Sequence, residues 1–597
     1  MPSASYIAER DAFGRQVQWL VEIVLDRCNN VYTTAPCTAV DLGDGLRCFY
    51  SYQTCQDVAN YSRGSKTYRF CLNSTPWPDP ATQVFPLLKR FVSYTQKIDA
   101  AKLYTDPERI TCEFALDFSP PPLDHDKSAT LHNTQRVGEF WRVLKARNQN
   151  YTGRTLRIKR GFYTNTFVLS DFEQLGPDYR ITSWQIDQEG CSITAESPLA
   201  QLGTRNAPWA ISQDNTVQTA IAAGDATVVV RDASEFPDPA SYTRNSVFVE
   251  IESEICKVTN RNTGTNTLTI TRGQWGTTAA SHAVNKKVSH VLCVGTNNGG
   301  SAATGRKVAD VLQDLMEWGG VAAASVDTAS FDTVSQLWPD LDVLATVRKP
   351  RTIAQHMASL RSPRGILIYY STASKYAAKV MSPDLSITAF TDDNFVFQSV
   401  ENDEDEEQRL TRAAVWYNPS SERAAGASTL ADYQNAVIVV NTDLESVNNY
   451  GDVREEAFQD FWVDPSASTS RIRNFSRRII NRRRAGVRTI KFALDMKSAS
   501  INVGDGVSIT SAQILDARGN QDTRPCIVTS RADVTETTVK FEAVDLAFGG
   551  RFLRIGPDTM TDDYSTATTE ERNSYGYWGD STYNRVGTIK DVGYVFY

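Results

Sequence analysis

The sequence predicts a mainly β chain with some α-helix (α+β), divided among several small barrels or sandwiches. Three observations lead there. At 597 residues the chain is too long for one hydrophobic core. Its apolar residues fall mostly in short alternating runs bounded by Gly, Pro, Asn and Asp, the pattern of strands and turns. Helical periodicity is confined to a few separated segments.

The elements follow in order. Val17, Trp19, Val21, Ile23 and Leu25 alternate with mostly polar residues, as in a strand with one buried face, and this strand runs straight into Cys28. The bend "STPWPDPATQVFP" follows Cys71 and closes a first module, 1–100. In 101–205, Cys112, Phe114, Leu116 and Phe118 alternate up to "SPPP", and a short helix carries Phe140, Trp141, Val143 and Leu144. "GRTLRIKRGFYTNTFVLSDF" then reads as paired short strands, which together suggest a small β-barrel or sandwich.

Residues 206–296 read as a separate β insert, with strands at Val228–Val230, Val247–Ile251 and Leu268–Thr271 and a hairpin turn in "NRNTGTN". An α+β unit follows over 297–400. There Val308, Val311, Leu312 and Leu315 share one helix face that stops at Gly319. Thr352 caps a second helix bearing Ile353, Met357 and Leu360, and Gly365 leads from it into the strand Ile366–Tyr370. The unit 401–550 holds a basic helix with Ile472, Phe475 and Ile479 along one side. Its strands lie at Ile490–Leu494, Val503–Ile509 and Val539–Val544, with Gly504-Asp505 as a turn. The extension 551–597, rich in Tyr, Asp, Ser and Thr, suits wrapping a neighbour or a sheet edge.

Composition excludes some function classes. A net charge of −8 gives no surplus of cations for a polyanion. No apolar run approaches the roughly 20 residues that span a bilayer. The N-terminus lacks a basic segment followed by an apolar core, so it does not read as a signal peptide. Folding is therefore expected in a reducing cytosol, where structural disulfides are disfavoured.

Catalytic motifs are sparse. The five histidines (His125, His132, His282, His290, His356) make no His-Glu-x-x-His pattern, and there is no Gly-x-Ser-x-Gly elbow or phosphate loop. A cysteine hydrolase would need a histidine beside one thiol, and the cysteine-rich segment has none within 50 residues. The chain therefore reads as a non-enzyme. "ENDEDEEQ" at 401–408 lacks the alternating ligands and glycine of a calcium loop and reads as a solvated loop.

The cysteines are the stronger signal. Cys28, Cys37, Cys48 and Cys55 lie within 28 residues, and Cys71 follows. Four converging thiolates suit zinc or an iron–sulfur cluster. Structural zinc favours tight Cys-x-x-Cys knuckles; here the gaps are long and contain Pro36, Gly43 and Gly45, which suits loops wrapped around a larger object. Buried free thiols without a ligand are the third reading.

The pattern Cys28-x8-Cys37-x10-Cys48-x6-Cys55, with "APCTA" at 35–39 and "TCQD" at 54–57, resembles the cysteine-rich module of tail-tip proteins of long noncontractile-tailed bacteriophages (siphoviruses). It is also similar to the hubs of gene transfer agents, and the lambda-type members share its outer gaps around a longer central stretch. The segment 247–283, with its "TRG" and "GTTAASHA", resembles a small β module of phage tail proteins, and the helix–helix–strand order before "INVGDGVSI" resembles baseplate hubs.

The resemblance implies a virion structural protein at the tail tip or baseplate, assembled in the bacterial cytoplasm. Its β domains would form a homotrimeric ring that extends the tail tube and opens for DNA ejection. Partners would be the distal tail protein, the tape-measure protein and tail fibre or receptor-binding proteins, with DNA passing transiently and contact with the host envelope. Cys28, Cys37, Cys48 and Cys55 would ligate an iron–sulfur cluster, of 4Fe-4S type, with Cys71 as a substitute ligand and zinc as the alternative metal. Two other readings stand beside it: a tail-associated hydrolase of peptidoglycan or surface glycan, and a zinc-stabilised receptor-binding protein. The arginines from Arg471 to Arg488 read as the polar face of a packed helix rather than a lining for DNA.

Overall fold

The computed structural model describes residues 4–12, 16–40, 48–72, 77, 82–90, 94–98, 108–116, 140–163, 169–297, 303–337, 342–371, 374–380, 387–419, 433–440, 453–463, 469–483, 487–498, 500–516, 518–533, 535, 537–545 and 568. Phe118 and "SPPP", most of the proline-rich bend, His125, His132 and all of the 551–597 extension except Thr568 lie outside these residues. The architecture is mainly β with interspersed helices, as the sequence predicts.

The strands β1 (Val17–Cys28), β2 (Arg63–Leu72), β3 (Phe85–Leu88), β4 (Tyr94–Lys97), β5 (Arg109–Phe114), β6 (Thr155–Phe162), β7 (Glu173–Ile186) and β8 (Cys191–Glu196) come first. All but β4 close into one barrel in the order β1-β2-β3-β5-β8-β7-β6. The sequence boundary at 100/101 therefore falls inside a single barrel.

The helix α1 is Ala4–Asp11, and α2, Phe140–Arg147, packs Phe140, Trp141 and Leu144 against the barrel core while Arg142 and Ala146 stay exposed. Trp141 stacks on Phe70 with ring centroids 4.8 Å apart and approaches Phe114 at 4.6 Å, while Phe140 lies 4.8 Å from Phe85. Such aromatic clusters bury large areas and fix geometry together.

One expectation about β1 is corrected. Its alternate residues face the barrel core, but Gln18, Leu20 and Glu22 on the other side are buried as well. Glu22 is satisfied there by Arg69 of β2 at 3.0 Å and Lys159 of β6 at 3.1 Å, so the polar half of the alternation marks a paired cross-strand triad and not solvent.

A six-stranded sheet holds the insert. It contains Thr227–Val229, Val247–Ile251, Glu254–Asn262, Thr267–Gln274 and Val288–Val294, and it gains Ala345–Val347 from beyond residue 296. Its core is continuous with α3 (Val308–Trp318), α4 (Thr328–Leu337), α5 (Ile353–Arg364) and α6 (Thr469–Arg483), so the insert is not a separate body. The helix α3 is buried on nearly every side, including Gln313 and Asp314, which departs from the single apolar face expected. Gly319 ends it in right-handed geometry, and Gly320, at φ 84°, makes the left-handed turn. Thr352 and Gln355 form a capping box on α5, and Gly365 ends that helix at φ 66°, both as the sequence implies.

The C-terminal strands divide between two sheets. Tyr433–Val440, Arg412–Pro419 and Glu455–Gln459 pair under α6, whose Ile472, Phe475 and Ile479 are buried. Ile387–Thr391, Gly506–Leu515, Gln521–Asp533, Thr538–Asp545, Val487–Asp495 and Glu401–Asp405 form a second sheet, to which β4 adds through Gln521–Asp533. The acidic run is thus an edge strand where a solvated loop was expected. It forms because Glu404 faces Arg488 and Asp403 neighbours Lys491, which offsets repulsion among its own carboxylates.

Candidate metal centre

Cys28 is the last residue of β1, held there by pairing with Arg63 of β2. The chain leaves β1 into loops that carry the other three cysteines back to this end. Tyr50 does much of the anchoring: its carbonyl accepts from the Cys28 N–H at 2.7 Å, and its own N–H donates to Cys48 Sγ at 3.4 Å. Its φ of 62° is a left-handed conformation that a non-glycine residue holds only when its surroundings fix it.

The Cys37 and Cys55 loops are tied by Asp57, whose Oδ2 accepts from the Thr38 N–H at 2.7 Å and from Thr38 Oγ1 at 2.9 Å. Asn60 Nδ2 donates to both oxygens of the same carboxylate. These bonds hold the Asp57 carboxyl below the usual range. Tyr32 donates to Gln56 Oε1 at 3.0 Å, and Tyr52 meets Tyr61 edge to face at 5.2 Å.

The four thiols converge. Burial raises Cys48, and the charges of Cys55, Cys37 and Cys28 add to it. Burial likewise raises Cys55, with Cys28 and Cys37 adding. Cys28 and Cys48 are buried, and Cys37 and Cys55 are partly open to solvent. None of the ten cysteines forms a disulfide. Among the described residues, no three His, Cys, Asp or Glu side chains are grouped so as to hold a metal ion.

Cys71 does not join them. It faces Leu20 at the other end of the β1–β2 hairpin, eight residues beyond Arg63, or about 26 Å at strand rise. It is fully buried, and burial pushes its thiol up to about 11. A strand position fixes it in the barrel wall, which corrects the expectation of a substitute ligand.

The described histidines are occupied elsewhere. His290 Nδ1 accepts from the Trp209 N–H at 2.8 Å, and burial pulls its pKa down to about 3. His356 Nε2 bonds the Ala207 carbonyl at 2.7 Å, with burial again lowering it, to about 4. His282 lies between Glu252 and Glu254. Among the described residues no helix is long and apolar enough to cross a membrane.

Sequence reasoning missed the supports. Tyr50 and Asn29 carry no motif, whereas Thr38 and Asp57 lie in the quoted "APCTA" and "TCQD", one and two residues from cysteines, where short polar side chains often tie loops.

No family model matches the chain, and no curated protein does. Among solved structures the chain is similar to the 43 kDa tail protein of prophage MuSo2 from Shewanella oneidensis. That match has 9% identity and a TM-score of 0.34 and covers 76% of this chain and 93% of that one. A tail protein from Neisseria meningitidis MC58 matches at 8% identity and a TM-score of 0.35, over 76% of this chain and 91% of its own. A chain of the native gene transfer agent virion matches at 14% identity and a TM-score of 0.27, over 40% of this chain and 48% of its own.

Proposed function

We propose that the chain is a structural component of a noncontractile phage tail tip, acting as its central hub and stabilised by an iron–sulfur cluster on Cys28, Cys37, Cys48 and Cys55. The hydrogen bonds that tie the segments of all four cysteines together at the end of β1 carry the reading. A tetrahedral zinc draws four sulfurs to about 2.3 Å from one point. A cluster places its irons at separate corners and takes its thiolates further apart.

When bound, such a centre supplies covalent cross-links and needs no redox turnover. The protein's part is to aim the thiols: β1 fixes Cys28, Tyr50 orients Cys48, and Asp57 joins the loops of Cys37 and Cys55. The segment has few buried apolar residues of its own, Tyr32 among them, so its order depends on these polar ties and on the centre. In the assembled tail the β domains would form a homotrimeric ring contacting the distal tail and tape-measure proteins and the fibres, and opening for DNA.

The test is anaerobic expression of the full chain, with visible absorption, iron and acid-labile sulfide measured per chain. Brown protein that loses iron and sulfide together in the four cysteine-to-serine variants supports the reading. Colourless protein with one bound zinc replaces the cluster by zinc. Metal-free protein returns the four cysteines to the status of ordinary thiols.

A further inference from the structure

The barrel end that carries the cysteines is also where the helix α2 terminates. Phe49, next to Cys48, lies under the guanidinium of Arg147, the last residue of α2, with 4.1 Å from Cζ to the ring centroid. Tyr50 is covered in the same way by Arg27 of β1 at 4.7 Å. The segment 48–50 is thus clamped between the end of a barrel strand and the end of α2. Phe49 is further fixed by its N–H, which donates to Thr54 Oγ1 at 3.2 Å, and Thr54 adjoins Cys55.

At its N-terminal end α2 is held by Trp141, whose Nε1 donates to the Ala115 carbonyl at 2.9 Å; in the last turn Lys145 Nζ donates to the Trp184 carbonyl and so shares with Arg147 the hold on that end. A helix of eight residues cannot sustain itself in water, so α2 depends on contacts at both ends.

We propose that the cysteine centre is a latch on α2. Ligation fixes Cys48 and Cys55, these position Phe49, and Phe49 holds Arg147 and the last turn of α2. The inference rests on the metal-centre reading and adds what that centre controls. Coupling of this kind is reciprocal, so loss of Arg147 also weakens retention of the centre.

The experiment is native-state hydrogen exchange on the full chain, read at amides 144–148 of α2 with the strand Gly506–Leu515 as internal reference. Three samples are compared: protein reconstituted anaerobically with ferrous iron and sulfide, the same protein after the metal is stripped by oxidant and chelator, and Arg147→Ala with all four cysteines intact. Stripping is expected to speed exchange in α2 roughly tenfold, the scale of one lost cation–π contact, with the reference strand unchanged. Arg147→Ala is expected to match that acceleration while loaded, and to lose iron faster to chelator than the parent; Arg147→Lys restores part of both. Loaded and stripped proteins with the same α2 exchange overturn the latch and leave the centre standing. Failure to take up iron and sulfide overturns the centre, and the latch with it.

Discussion

The polar ties around the cysteines act through single residues whose replacement has calculable steric consequences. Gly64 on β2 is paired with Arg27, and a Cβ there would lie 2.0 Å from Asn29 Oδ1. Asn29 anchors the first residues after Cys28: its N–H donates to the Ser62 carbonyl at 2.8 Å and its Nδ2 to the Arg63 carbonyl at 3.2 Å. Gly64→Ala therefore pushes Asn29 off β2 and loosens the base of the first cysteine loop. The expected cost is about 1–3 kcal/mol of local strain, with the barrel retained. Chemical denaturation and iron content check this together, and Gly203→Ala, whose Cβ meets nothing within 4 Å, serves as the neutral comparison. Unchanged iron content in Gly64→Ala would mean that Asn29 does not support the loop.

Elements differ in how much of them the sequence discloses. The capping box of α5 and the left-handed Gly365 are local devices, and both were readable from "RTIAQ" and "PRG" alone. Strand β4 was not readable. "YTQK" has no apolar run, and it pairs with Ser530–Asp533, more than four hundred residues away. The acidic strand at 401–405 failed for the same reason, since its partners Arg488 and Lys491 lie far along the chain. At the candidate metal centre the four proposed ligands rest on the resemblance. The exclusion of Cys71 was not legible, because it depends on hairpin register.

In the insert, the motif pieces "TRG" and "GTTAASHA" gain a physical meaning in Glu254. Burial alone would raise that carboxyl, but Arg272 at 2.8 and 2.7 Å, the Ala280 N–H, His282 and the Gly273 N–H outweigh it and hold it well below its ordinary value of 4.5. A depressed folded pKa contributes stability that is present above the unfolded value and is lost as pH falls through the folded one. The insert is therefore expected to lose stability progressively as pH drops below about 4.5, and hydrogen exchange at 254–274 follows this directly. Glu254→Gln should cost about 3–5 kcal/mol at neutral pH, the usual penalty for stranding a buried charge, and should flatten the acid dependence. An acid profile identical in the two proteins would remove Glu254 from the account.

At the scale of the whole molecule, the barrel and the seven-stranded sheet are joined through Met496, which follows the strand Val487–Asp495 and is buried in the barrel core, and through two polar links. Strand β4 leaves the barrel region and adds to the sheet, and Arg160 of β6 meets Asp533 of the sheet at 2.8 Å, with both side chains buried. Tyr6 of α1 bonds Arg160 Nε at 2.9 Å, and Arg531 shares Asp533 at 3.2 Å. Asp533 is held ionised, because burial, which opposes it, is outweighed by Arg531 and Arg160. Removing only the acid leaves Arg531 without its counter-charge and Arg160 with Glu173, at 3.7 Å, as its remaining carboxylate. Asp533→Asn is therefore expected to cost about 3–5 kcal/mol and to split thermal unfolding into separate barrel and sheet transitions. Arg160→Met combined with Asp533→Asn should recover only part of that loss. It removes one of the two cations, but Arg531 stays buried with the Ile501 carbonyl and Asn502 Oδ1 as its remaining partners. Calorimetry separates the outcomes. One cooperative transition in Asp533→Asn would mean that β4 and Met496 suffice to join the barrel and the sheet, whereas two transitions that re-merge in the double variant would locate the coupling in the ion pair.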